Sequence, residues 1–467
     1  MATLIEQQPL SNPGTFDKVL PVGQEIIYTV SNSSVVSTYT NVKFIAEVHI
    51  SNSTPPNANT TNDLVGTFKT TPNNAGVGMF DFRPVIESFV NADNLARQGS
   101  AYKGTVNTSD SSIPIHLIDK YSGNINTMRW CSIKFMVEYV DALTGNLVTN
   151  DEVIAGMFIV FNGYLKYTDE LILSGVNFGY DLYSNFLLDG VTKKFLSNAP
   201  TSQYANLDDY GTVSLLMPYT TRGIEITYFD SSSSAIGVEQ INHNVANGGF
   251  VYPQADIQAL LLYFGLFPAN LQGSSTMFQN LVSLGTIQDG HYEIYALDTT
   301  GQVASEVYTI KLNCPTLKGY EPIRLTWLNQ WGAWDYYTFK MKSTKTISTK
   351  GSTYQQLGGS WNESAYRIDS FKGGKKAFRV NATEKISMNT DFVSESESVW
   401  FEELINSPEV YILEGFKTDT TNSALNKYVT PVRLTTSNYT KKTVANDRLM
   451  QYTFEVEKSK TLRTQAV

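Results

Sequence analysis

The chain has 467 residues and a net charge of −9, with 42% hydrophobic, 12% aromatic and only 17% charged residues. That apolar content excludes a disordered chain, and the length exceeds one ordinary core, so two to four domains are predicted. The acidic balance argues against nucleic acid as the main partner: the densest cationic spot, FKGGKK with Lys372, Lys375 and Lys376, is too small to track a phosphate backbone.

Polarity comes chiefly from Asn, Ser and Thr beside abundant Gly, Tyr and Phe, residues that suit strands and turns better than long helices. The predicted fold class is all-β, mainly antiparallel: several β-sandwich domains with a few short helices. The expected division is a β-sandwich over 1–165, a β-rich middle domain over 166–320, and a sandwich-plus-helix assembly domain over 321–467.

The start, MATLIEQQPLSNPG, shows neither a basic segment nor an apolar run, so no secretory signal is expected. Residues 42–50 alternate as a strand with Phe44, Ala46, Val48 and Ile50 on one face, and the polar stretch 51–63 follows as a loop. Pro84 suits the first turn of a short helix whose apolar side is Val85, Ile86, Phe89 and Val90. Ile133, Phe135, Val137 and Tyr139 alternate again, and residues 141–146 connect them to further strands through Phe161.

In the middle region, strands are predicted over 213–217 and 224–229. Ile257, Leu260, Leu261 and Phe264 recur at helical spacing and predict a helix over 253–266, with Asp256 near its start. The apolar run 259–267 is far too short to span a bilayer, so no membrane insertion is expected. Two alternating strands, 291–297 and 303–312, close the region around Asp298-Thr299-Thr300-Gly301.

The last region opens on EPIRLTWLNQWGAWDYYTFKMK, which holds three of the six tryptophans. Ile323, Leu325 and Trp327 keep a period of two, as do Tyr337, Phe339 and Met341. Asn329 to Ala333 reads as the turn between two strands, with Gly332 free to take a positive φ. Residues 352–360 read as a Gly/Ser/Gln excursion before alternation resumes at Phe378 and Val380 and at Ile386 and Met388. Ser394 and Glu397 form a capping box for a helix that pairs Trp400 with Leu404 and Phe401 with Ile405. Trp327, Tyr337 and Phe339 are expected to pack on Trp400, Phe401 and Leu404. Trp331, Trp334 and Tyr336 are left for a neighbouring subunit or a glycan. Strands at 410–413 and 429–434 and alternation at Met450, Tyr452, Phe454 and Val456 complete the chain.

Signals for chemistry are sparse. His49, His116, His243 and His291 have no second His or Cys at metal-ligand spacing, so no metal or cofactor is expected. Cys131 and Cys314 lie far apart and form no disulfide framework. Gly76-Val77-Gly78 lacks the rest of a dinucleotide loop and reads as a strand-to-strand turn. Paired carboxylates can hydrolyse glycosides, but Asp208 and Asp209 sit in a turn-like segment. Glu402 and Glu403 read as the solvated side of the helix. Asp335 beside the tryptophans could belong to a sugar platform.

Several segments carry a family likeness: VGTFKTTPNNAGVGMFDFRPVIESFV, PIHLIDKYSGN, FLSNAPTSQYANLDDYGT, EPIRLTWLNQWGAWDYYTF, NTDFVSESESVWFEELINSPEVYIL and YVTPVRLTTSNYTKKTVANDRLMQYTFEVE. They resemble virion structural proteins of environmental tailed bacteriophages, including those of marine bacteria and of Bacteroidota, over most of the chain. The order of strands, one capped helix and closing strands in the last region is also similar to modules of tail-tube and distal-tail proteins. The resemblance implies a multimeric neck or tail component, made in the host cytoplasm and resident in the virion. Its partners would be copies of itself and other virion proteins, and no catalytic residues come with it. The alternatives are a carbohydrate-binding receptor-recognition protein, with Trp331, Trp334, Tyr336 and Tyr337 as platform, and a capsid-surface accessory protein. A glycan-degrading tail enzyme would be expected to show β-helix repeats, and none is present.

Overall fold

Alternating apolar residues, turn-forming Asn, Asp and Gly, and few long helical stretches give an all-β protein, mainly antiparallel, with a few short helices. The computed structural model describes residues 3–9, 19–96, 113–165, 171–174, 177–179, 182–216, 221–242, 260–312, 320–360, 364–414, 428–436, 438, 440 and 450–463. The chain forms two compact units. The first holds Met1–Pro315 with Leu328–Asp335 and Gly415–Asn426; the second holds Thr316–Trp327, Tyr336–Glu414 and Lys427–Val467.

Within the first unit, strands Leu4–Gln7, Ile27–Ser31 and Val77–Asp81 make one sheet. A six-stranded sheet centred on Thr40–Ser51 and Met128–Val140 supplies the other wall of a sandwich. Their inward positions build one core in which the Tyr28 ring lies 5.6 Å from Phe135, 5.8 Å from Phe82 and 6.2 Å from Phe158. Phe44, Ala46, Val48 and Ile50 face this core, as their alternation predicts. Burying each large ring is worth about 1.5–3 kcal/mol, which makes this cluster a main source of the unit's stability.

Strands from both sides of residue 165 fall in the first unit. Strand Tyr121–Gly123 pairs antiparallel with Leu261–Gly265, which pairs in turn with Thr212–Leu216. Buried Asn270 adds a polar tie: its amide donates to the main-chain oxygens of His116 (3.0 Å) and Ile118 (2.6 Å) and accepts from Gly211 N (2.9 Å). The predicted domains 1–165 and most of 166–320 therefore share one unit.

The helix predicted over 253–266 is corrected where it is described. Leu261–Gly265 is a strand, buried on both faces in the middle of its sheet. A short continuous apolar run satisfies a helical and a buried-strand pattern alike, and pairing on both sides decides for the strand. The nearby helices are Pro268–Ser274, begun by the proline, and Thr276–Ser283, whose first turn is capped by Ser275 Oγ accepting from Phe278 N. Ile257 lies outside the described residues, as do His243 and Cys314.

The second unit is built on a seven-stranded sheet in the order Trp334–Phe339, Ile323–Leu328, Val410–Leu413, Val429–Leu434, Thr453–Lys458, Gly374–Asn389, Ser343–Gln356. Helix Glu395–Asn406 begins at the predicted capping box, with Ser394 Oγ accepting from Glu397 N and Glu397 accepting from Ser394 N at 2.6 Å. Among the described residues no helix is long and apolar enough to cross a membrane.

Candidate functional site

The turn between Ile323–Leu328 and Trp334–Phe339 forms as its residues dictate. Asn329 Oδ1 accepts from Trp331 N and Ala333 N, both at 3.0 Å, and Asn329 N donates to Ala333 O at 2.8 Å. Gly332 takes φ +71°, and a Cβ there would stand 2.2 Å from Asn162 O. Glycine is thus required twice, for the left-handed backbone and for the close approach.

This turn belongs to the first unit and is covered by it. Trp331 is 4% exposed, and its ring lies 4.6 Å from Phe186. Trp334 is 2% exposed; its Nε1 donates to Asp93 O at 2.9 Å, and His116 meets its ring edge-on at 4.8 Å. Asp335, also buried, accepts from Ser197 Oγ at 2.6 Å. In the second unit, buried Tyr336 stacks under the Arg324 guanidinium, 5.3 Å from the ring centre. The expectation that Trp331, Trp334 and Tyr336 present a face to a subunit or a glycan is corrected: each is buried within the single chain. Their covering residues lie more than a hundred positions away in sequence for the two tryptophans, so local pattern could not reveal the cover.

Below Trp334 lies a buried carboxylate. Asp93 accepts from Ile125 N (3.1 Å), Asn126 N (2.7 Å), Thr127 Oγ1 (2.9 Å) and Tyr263 OH (3.0 Å). Burial pushes its pKa above the usual carboxylate value, and these four donors pull it back without cancelling the rise. All of its acceptor capacity is engaged by the fold, which marks a structural tie that orders loop 91–94 beneath the tryptophan.

Residues expected to form the core around the helix lie together in the second unit. Trp327 is 5.0 Å from Trp400 and 6.3 Å from Phe401, while Tyr337 is 4.9 Å and Phe339 6.4 Å from Phe401. Leu404, one turn on from Trp400, is fully buried. Glu403 departs from the reading as a solvated side: it shares the Trp400 face at i,i+3 and is buried, while Glu402 is half-exposed. The Asp208–Asp209 turn is local, with Asp209 Oδ2 accepting from Asn206 N at 2.8 Å and Asp208 exposed. Among the described residues no three His, Cys, Asp or Glu gather in a way that could hold a metal ion.

The surface that stands out was not singled out from sequence. Ser343–Gln356 pairs with Gly374–Asn389 along its whole length, so residues 352–356 of the stretch read above as an excursion are strand. Among the described residues, Lys385 to Asn389 of the second strand also pair with Thr453–Lys458, and a bridge joins Ala382 to Leu462. Beyond that bridge residues 374–381 and their partners form a two-stranded ribbon, roughly 25 Å long at about 3.3 Å per residue, that pairs with no further strand among the described residues; Arg463 Nε donates to Asn381 Oδ1 at 2.5 Å near its base. Its apolar side chains Tyr354, Phe378 and Val380 are exposed, as are Ile347 just before the bridge and Ile368 (78% exposed) and Phe371 (73%) near the end. The signal available in sequence was the run of Thr and Lys with sparse apolar residues, which marks a strand lacking a core face.

No protein-family model matches the sequence, and no curated protein does. Solved structures similar to parts of it include dimeric latent PorU from Porphyromonas gingivalis, at 7% identity and TM-score 0.18 over 83% of this chain and 32% of that one. E. coli alpha-2-macroglobulin in its native conformation is similar at 8% identity and TM-score 0.18, over 83% of this chain and 22% of that one. The chain spans about a third and less than a quarter of their respective lengths, and at these scores neither likeness bears on fold or function.

Proposed function

We propose that the chain is a structural component of a tailed-bacteriophage virion, a multimeric neck or tail protein of the ring, collar or tube-associated kind. The observation that carries this reading is the ribbon. A chain that buries each of its described tryptophans leaves apolar side chains on a two-stranded ribbon bare, and isolated ribbons of this kind are marginal in water. A neighbouring chain that covers the ribbon removes that penalty. The segment-by-segment likeness to virion structural proteins supplies the setting: synthesis in the host cytoplasm, residence in the particle, and partnership with copies of itself and with other virion proteins.

In this reading the protein performs no catalysis and needs no cofactor, because its work is to hold a shape. The carbohydrate-binding alternative loses its platform, since Trp331, Trp334 and Tyr336 are buried. The test is cryo-electron microscopy of purified particles, with mass spectrometry of the same preparation. A symmetric ring or tube of this chain at the neck or tail is expected. Its absence from purified particles overturns the reading, and density confined to the outer capsid surface replaces it with the accessory alternative.

A further inference from the structure

We propose that the ribbon of Ser343–Gln356 and Gly374–Asn389 is a clasp that lies against a second copy of this chain, joined by its exposed apolar side chains and by its positive charge. The inference rests on the multimeric reading above and names the surface that would produce it.

The first support is the pattern of the ribbon's face. Along the second strand Met388 and Ile386 are buried in their unit, and the same face continues outward through Glu384, Ala382 and Val380. Their cross-strand partners on that face are Ile347, Thr349 and Gly351. Glu384 on this face is held by an ion pair with Lys458 at 3.4 Å, and beyond it Val380 is exposed. Past the bulge at Phe378, Tyr354 meets the Phe378 ring edge-on at 6.3 Å, and by alternation along its strand Tyr354 lies on the opposite face, with Lys350. That opposite face also carries Lys350 and Arg379 among Thr, Ser and Asn. Both faces of the ribbon thus combine exposed apolar side chains with Lys or Arg.

Charge identifies what covers it. Residues 343–389 hold eight Lys and Arg against three Asp and Glu, a net +5 in a chain whose total is −9. Everything outside the ribbon then sums to −14. A basic arm on an acidic body is electrostatically matched to the body of another copy, and such matching steers encounter and fixes register. Because ribbon and acidic body are different surfaces, the contact is heterologous, and repeating it generates a ring or a filament.

The test uses the full chain and two sets of substitutions on exposed residues. One is Ile347→Ser with Phe378→Ser and Val380→Ser; the other is Lys350→Glu with Lys375→Glu. Self-association is read by mass photometry and sedimentation, and folding by far-ultraviolet circular dichroism and thermal melting. Wild-type chain should assemble, more weakly as salt rises, and each variant should raise the dissociation constant at least tenfold with its melt unchanged. Zero-length carbodiimide cross-linking of mixed light and heavy-isotope chains should join Lys350 or Lys375 to a carboxylate of the other copy. Variants that assemble like wild type overturn the clasp while leaving the multimeric reading in place. A wild-type chain that stays monomeric up to its solubility limit overturns the clasp as well, and the virion reading is then decided separately by its presence in purified particles. Ribbon-dependent binding to duplex DNA or to anionic vesicles by a chain that remains monomeric also overturns it.

Discussion

The turn Leu328–Asp335 and the ribbon Ser343–Gln356 with Gly374–Asn389 are both hairpin structures bearing large apolar side chains, and they meet opposite environments. In the turn, Trp331 and Trp334 are almost wholly covered, and a buried carboxylate and glycine hold their surroundings. In the ribbon, Ile347, Tyr354, Phe378 and Val380 are exposed to water. The contrast shows that aromatic density marks where a chain needs cover but not whether the chain supplies that cover itself. The denser cluster looked more like an interface in the sequence, and the sparser one is where a partner is still needed.

The sharpest way to break this comparison is Trp334→Ala. The substitution empties a filled site and strands the Asp93 carbonyl that accepts from Nε1, so the first unit should lose about 3–5 kcal/mol. Chemical denaturation followed by tryptophan fluorescence and circular dichroism measures it; a loss under about 1 kcal/mol would mean that the ring is not packed as described. Next in size is Gly332→Ala. Its φ of +71° and the Asn162 oxygen 2.2 Å from the added Cβ both oppose a methyl group, and a cost of about 2–3 kcal/mol is expected in the same assay.

Much of this was legible where the signal is local. The capping box at Ser394, the Asn329–Gly332 turn, the Asp298–Gly301 connection and the alternation at 42–50 each depend on neighbours within a few positions, and each is present. Legibility fails where a second surface decides. Strand Ile323–Leu328 shows alternation, yet Arg324 and Thr326 on its other face are also buried, Arg324 over the Tyr336 ring and donating to Thr338 Oγ1 at 2.8 Å. Leu261–Gly265 takes its identity from strands on both sides, which no helical count could foresee. The ribbon is held as a strand pair by its ladder, and its Ser, Thr, Lys and Gly residues resemble a loop until the partner strand is known.

A pH experiment sharpens the contrast at intermediate size. Because burial raises the Asp93 pKa in the folded chain above its ordinary value of 3.8, its stabilising contribution is complete below that value. That contribution is lost as pH rises through the folded pKa. One proton gives a slope of at most about 1.4 kcal/mol per pH unit in that window. Asp93→Asn keeps an acceptor for Ile125 N and Asn126 N and offers an NH₂ to the hydroxyls of Thr127 and Tyr263. Comparing the two proteins from pH 4 upward isolates this group from the others that titrate. The difference in stability should move in the variant's favour as pH rises, and a constant difference would show that Asp93 titrates as it does in the unfolded chain.

The smallest effect is expected on the ribbon. Ile347→Ser removes a side chain that is 62% exposed, opposite Glu384 on a ladder whose backbone hydrogen bonds do not depend on it. Little apolar area returns to water, no cavity forms and no polar group is stranded, so monomer stability should change by less than about 0.5 kcal/mol. Denaturation at a concentration low enough to keep the chain monomeric measures this directly. A loss above about 1 kcal/mol there would mean that the ribbon folds back onto its own chain in solution. The ribbon would then belong with the tryptophan turn as covered structure, and the distinction between the two hairpins would disappear.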